Sequence, residues 1–143
     1  MSRYRTQITE VINRNVVVSL ALQQGFNAFL PVYDGGVDFI LYRETDNTTR
    51  KVQLKGRWMI DKKYEGRDIW MAFPVGADWY LMPHDEMLAL AKAEGNALDS
   101  SSWIEGGAYS WPAPTKAMLT HCTPYRFAPI AEVAAQAATD DTL

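Results

Sequence analysis

Asp38, Gln53 and Lys55 are the residues of this chain whose types and spacing could do chemistry together. Two apolar runs, VDFILY and KVQL, flank the polar turn ETDNTT, and the pattern predicts a β-hairpin across residues 34–57. Asp38 falls within the first strand of that hairpin, while Gln53 and Lys55 lie two apart on the second. Side chains at i and i+2 of a strand share a face. Gln53 and Lys55 therefore project together, and Val52 and Leu54 turn the other way into apolar packing. With the strands paired across that turn, Asp38 comes beside the pair. A carboxylate oxygen of Asp38, the amide oxygen of Gln53 and the backbone carbonyl of Leu54 would make a site for a hard cation. Magnesium keeps several waters, so two or three protein oxygens suffice. A metal there would acidify bound water and stabilise charge on a phosphate, with Lys55 orienting the water or neutralising the phosphorane.

The elements that must hold these residues follow in order. A helix is expected over about 8–24, from the spacing of Ile8, Val11, Ile12, Val16, Leu20 and Ala21, with Gly25 as its stop. Glu10 falls in its first turns, where it either complements the helix dipole or reaches the site. A short strand at 26–32 leads to the turn Tyr33–Gly36, whose two glycines permit positive φ. The strand at 37–42 is apolar on both faces apart from Asp38, as suits a covered central strand. A buried carboxylate there costs several kcal/mol unless paired; amides of the glycine turn are the alternative to a metal.

Beyond the hairpin, 58–68 is a charged, irregular connection. Strands are expected at 69–73 and 79–82, and a helix from His84 to Lys92 or Glu94, with His84 near its cap rather than a ligand. Residues 96–114 read as a loop tethered by Trp103, Tyr109 and Trp111. Short helices are expected at 115–121 and 130–138. No repeat or linker divides the chain, which is read as one domain over 1–143, its core at about 7–95 and 96–143 a loop and helical extension.

Composition narrows the function classes. The 143 residues are 48% apolar, enough for one proper core. No 18-residue apolar run exists, so no membrane partner is expected, and a single cysteine rules out an internal disulfide or a cysteine zinc site. A cytoplasmic location is the simplest expectation. The net charge is −3, yet Arg50, Lys51, Lys55, Arg57, Lys62, Lys63 and Arg67 face only Asp61 and Glu65 within 50–67, leaving that window at +5. Such a band is either a solvated surface or a phosphate-binding one.

Helix, glycine turn, aspartate-bearing strand and the Gln53-Leu54-Lys55 triplet together resemble the PD-(D/E)XK nuclease superfamily. The glutamine in the triplet is similar to the variant of group I intron-associated homing endonucleases. The resemblance covers roughly 7–92, including DIWMAF…WYLMPHDEML. It implies a restriction-endonuclease-like α/β core, a mixed sheet of about four or five strands flanked by helices. It also implies a Mg²⁺-dependent endodeoxyribonuclease acting on double-stranded DNA as a homodimer or homotetramer. Asp38, Gln53 and Leu54 would hold Mg²⁺, Lys55 would be the catalytic lysine, and Glu10 an additional catalytic carboxylate. Arg50, Lys51, Arg57, Lys62, Lys63 and Arg67 would contact DNA. Two departures stand out: Val37 replaces the motif's proline, and Gln53 replaces an acid, which removes one negative charge and shifts weight to Glu10. A catalytically inactive DNA-binding module on the same fold is the first alternative, and an unrelated α/β domain binding a protein through its aromatics the second.

Overall fold

The computed structural model describes residues 3–95 and 97–129; the helix expected at 130–138 lies outside them. Helix α1 (Arg3–Gln23) opens the chain. Gly25, at φ +87°, then reverses the backbone into the short strand β1 (Asn27–Phe29). The hairpin forms as expected from β2 (Phe39–Arg43) and β3 (Thr48–Leu54), with Arg43 opposite Thr48. A single 3-10 turn, Glu44–Asp46, and a left-handed Asn47 close it. Arg43 clamps that loop through a forked contact to Asp46, at 2.7 Å for the shortest bond.

Strands β5 (Ile69–Val75) and β6 (Asp78–Pro83) complete a five-stranded sheet of order β1-β2-β3-β5-β6. Only the β3–β5 step is parallel, so the sheet is mixed. The β3–β5 crossover contains β4 (Trp58–Asp61), which pairs with β7 (Ala108–Trp111) in a separate two-stranded sheet. Neither strand was expected, because the partners lie some fifty residues apart and no turn chemistry announces the pairing. The pairing is fixed by packing: Trp58 is fully buried and stacks edge-on against Trp111 at 4.6 Å.

Side chains alternate across the sheet, and each face has its own core. Met71, Phe73, Tyr80 and Met82 point to one side and meet Met87 of α2 (His84–Ala93), Trp103 of α3 (Ser101–Ile104), and Met118 and Cys122 of α4 (Lys116–Cys122). Phe39, Leu41, Val52, Ala72 and Leu81 point to the other side and meet Val17 and Ala21 of α1. The architecture is therefore α/β, a mixed sheet flanked by helices. Among the described residues no helix is long and apolar enough to cross a membrane.

Helix α1 corrects one expectation. The stripe Ile8, Val11, Ile12, Val16 does not face the core, and these residues are 39–58% exposed. Ala21 does face inward as expected, but its partner is Val17, and both are fully buried. Their small side chains let the helix lie close on Phe39 and Leu41, whereas the bulkier stripe points outward.

His84 is 1% exposed at the start of α2, and its Nε2 accepts a hydrogen bond from the Asp61 amide at 3.0 Å. The ring is thus neutral, with its proton on Nδ1 facing Asp85 at 3.4 Å. Burial pushes its pKa below the usual 6.5, against the pull of Asp85, Asp61 and Glu65. A base with a depressed folded pKa binds fewer protons folded than unfolded, so stability is lost as pH falls through about 6.5. Thermal unfolding of the wild type should shift downward between about pH 7.5 and 5.5, and His84→Gln, which keeps an acceptor but cannot titrate, should flatten that slope. His84→Ala should cost roughly 2–4 kcal/mol at either pH, from the orphaned Asp61 amide and the cavity.

Candidate functional site

The end of β3 determines the site. Two hydrogen bonds link it to the segment entering β2. The Asp38 amide donates to Val52 O at 2.8 Å, and the Leu54 amide donates to Asp38 Oδ2 at 2.7 Å. Asp38 lies one residue ahead of β2 rather than within the strand, and Lys55 one residue beyond β3, its amide bonded to Ala72 O of β5 at 2.9 Å. The Leu54 amide, not the glycine turn, satisfies the Asp38 carboxylate. The turn's own amide is taken by Asp34, whose Oδ1 accepts from Gly36 N at 3.0 Å. Val52 and Leu54 pack toward α1, as expected, which sends Gln53 and Lys55 the other way.

These residues line a cleft of about 680 Å³ together with the N-terminal half of α1. Glu10, Asn13 and Arg14 of the helix face Asp34, Asp38, Gln53 and Lys55 across it. The reason is helical phase. Residues 10, 14, 17 and 21 share one face of α1; the last two dock on the sheet, and the first two overhang its end. Glu10 lies seven residues, roughly 10 Å of helix, before Val17. Four side chains named from the sequence thus share one cleft. Thr6, Thr9, Asn13, Arg14 and Asp34 were not anticipated there. For the four on α1 the signal was present as a polar run at i, i+3, i+4 on the face that continues Val17 and Ala21.

Burial pushes the Asp38 carboxyl above its usual range, opposed by the Leu54 amide and assisted by the charges of Asp34 and Glu10, while Lys55 pulls it back. Burial also pushes the Tyr64 hydroxyl up to about 12, helped by Asp61, Asp38 and Asp34. The Tyr64 ring lies 5.8 Å from the Lys55 ammonium and supports the glycine turn. A Cβ on Gly36, at φ +89°, would meet Tyr64 Cε1 at 3.4 Å and Arg67 Nη1 at 3.1 Å.

The six expected DNA contacts are distributed in three ways. Arg50 stacks on Trp70 at 4.1 Å, on the α1 side of the sheet. Lys51 and Arg67 are tied to backbone: Lys51 donates to Arg67 O, and Arg67 donates to Gly35 O at 2.6 Å and Lys63 O at 3.2 Å. Arg57, Lys62 and Lys63 are exposed, with Lys62 lying 5.4 Å over Trp103.

Among the described residues no group of three or more His, Cys, Asp or Glu could hold a metal. A cation in this cleft would depend on amide and carbonyl oxygens beside the carboxylates, and one such oxygen is conspicuous. Gln53 Oε1 is buried with no hydrogen-bond partner. An unpaired buried acceptor costs about 1–3 kcal/mol, and a hard cation is one partner that would repay it. Carboxylate, amide and carbonyl oxygens, which Asp38, Gln53 and Leu54 carry on this wall, are the donor types that Mg²⁺ takes.

Gln53→Met keeps shape and removes the orphaned oxygen, so the metal-free protein should gain about 1–3 kcal/mol of stability. The same variant should lose any rise in unfolding temperature that wild type shows on adding Mg²⁺. Gln53→Glu should enlarge that rise. Thermal unfolding with and without Mg²⁺ reads all three. No family model, curated protein or solved structure matches the chain, so the chemistry of the cleft walls carries the functional reading.

Proposed function

We propose that the chain is a Mg²⁺-dependent endodeoxyribonuclease with a PD-(D/E)XK-like catalytic core, hydrolysing phosphodiester bonds of double-stranded DNA. The observation that carries this reading is convergence: Glu10, Asp38, Gln53 and Lys55 come from three separate places in the chain and line one cleft. Asp38, Gln53 and the Leu54 carbonyl would hold the metal, with Glu10 restoring the negative charge that glutamine lacks. Bound Mg²⁺ supplies charge stabilisation and a more acidic water.

The rest is the work of the chain. Glu10, Asp34 and Asp38 outnumber Arg14 and Lys55 by one charge in the cleft, so it favours a cation first. Once a divalent ion is counted the balance turns positive and accepts a phosphate. Lys55, fixed through its amide to Ala72 and over Tyr64, places its ammonium to orient water and to offset charge gathering on the phosphoryl oxygens. Arg14 offers a second cation from the opposite wall. One such cleft cuts one strand, so cutting both strands of a duplex calls for a second copy, which is why a homodimer or homotetramer belongs to the proposal.

A catalytically silent DNA-binding module on the same scaffold is the second reading, favoured because among the described residues no three acidic, histidine or cysteine side chains are grouped to hold a metal. Nicking of supercoiled plasmid with Mg²⁺ separates the two. Asp38→Ala and Lys55→Ala should each lower the rate by roughly 10²-fold or more, and Glu10→Gln by about tenfold. The rate should also fall on acidification, because the raised pKa of Asp38 returns a proton to it earlier than to an ordinary aspartate. Undiminished nicking by both alanine variants would overturn the site. No nicking, with salt-sensitive binding weakened by changing Arg57, Lys62 and Lys63 to alanine, would select the binding module. Arg67 is left intact in that set because it braces the glycine turn.

A further inference from the structure

Ten of the eleven large apolar side chains left exposed among the described residues belong to the first 33 residues. Tyr4, Ile8, Ile12 and Val16 form an i, i+4 ridge along α1, 66%, 58%, 55% and 39% exposed. Beside the ridge a shallow groove of about 400 Å³ is lined by Ile12, Asn15, Val16, Ser19 and Leu20. The neighbouring strand β1 is a sheet edge, paired with β2 on one side only, and Phe29, Leu30, Val32 and Tyr33 on and after it are 49–102% exposed. The exposed area of these apolar side chains is on the order of 1,000 Å², above the roughly 800 Å² that each partner brings to a standard interface.

We infer that this face binds a second copy of the same chain, with the α1 helices packed against each other across a two-fold axis. The ridge and its groove are complementary on one molecule, which is what an isologous contact requires. Neither the ridge nor the groove contains an acid or a base. That composition suits an apolar partner surface and spares the centre of a two-fold contact any like-charge clash. With the helices antiparallel and crossing at Ile12, Arg5 at the border comes opposite Ser19 rather than another arginine. Ridges of i, i+4 spacing interdigitate at a crossing angle of about −50°. Glu10 and Arg14 lie on the opposite side of α1, so the dimer leaves both clefts open and facing outward. The inference stands whether or not the cleft is a nuclease.

Sedimentation equilibrium at micromolar concentration should give twice the chain mass for the wild type, and Ile8→Asp with Ile12→Asp should halve it while the circular dichroism spectrum is retained. A variant that fails to fold is bypassed by cross-linking. Ile12→Cys should form an intermolecular disulfide on mild oxidation, the native Cys122 being buried. Ile104→Cys, exposed but off this face, should not. A monomeric wild type, a dimer indifferent to the two aspartates, or equal cross-linking at both positions would overturn the inference, and so would occupation of the face by another segment of the chain or a different protein.

Discussion

The hydrogen bond from the Leu54 amide to the Asp38 carboxylate is the contact around which the cleft is built. In a regular ladder that amide would have gone to a backbone carbonyl. Here a side chain takes it, at 2.7 Å, and the strand end is held on its other side by the bond from the Lys55 amide to Ala72. The result is a β3 terminus gripped from both neighbouring strands at the point where Gln53 and Lys55 leave it. One Asp38 oxygen is committed to the backbone and fixes the carboxylate's position. The same bond works against the burial that raises the pKa of Asp38, so geometry and charge state are set by one interaction.

Support for that contact comes from a frame that is itself cationic. Arg67 reaches back to Gly35 O and Lys63 O, Lys51 reaches Arg67 O, and Tyr64 fills the space beneath the turn. These bonds fasten the glycine turn, the 3-10 turn after β4 and β3 to one another. A side chain that satisfies two backbone carbonyls has much of its donor capacity already used. Much of the local positive charge therefore serves to hold Asp38 and Lys55 in place. Arg57, Lys62 and Lys63 are the part of the band facing solvent.

How legible this was in the sequence depends on the range of the interaction concerned. The hairpin could be read because its two apolar strands adjoin across a polar turn, and the grouping of Asp38, Gln53 and Lys55 followed from strand period and from pairing across that turn. Helix α1 was located but its phase was misread. Two apolar stripes compete on it, and the larger, Ile8–Ile12–Val16, suggests a core contact that only the smaller Val17–Ala21 pair makes. The pairing of β4 with β7 was invisible, since it is enforced by Trp58 meeting Trp111 across some fifty residues rather than by any local signal. His84 was read as lying near the helix cap and is the first residue of α2, after the cap Pro83, but its buried bond to Asp61 depends on the strand that the sequence did not reveal.

The two faces of α1 are mechanically connected. The N-terminal half of this helix has no buried residue from 4 to 16, and the helix docks on the sheet through Val17 and Ala21, with Val18 and Leu20 partly buried beside them. Yet that half carries the helix side of the cleft, Glu10, Asn13 and Arg14 among it. An overhanging helix with few buried contacts opens at low free-energy cost, and a wall that frays cannot keep a carboxylate within reach of Asp38. Covering the outer ridge would remove that weakness, because Ile8 and Ile12 lie within one turn of Glu10 along the helix. In the inferred dimer, the apolar exposure that looks like a defect of the isolated chain would let assembly set the spacing of the cleft walls.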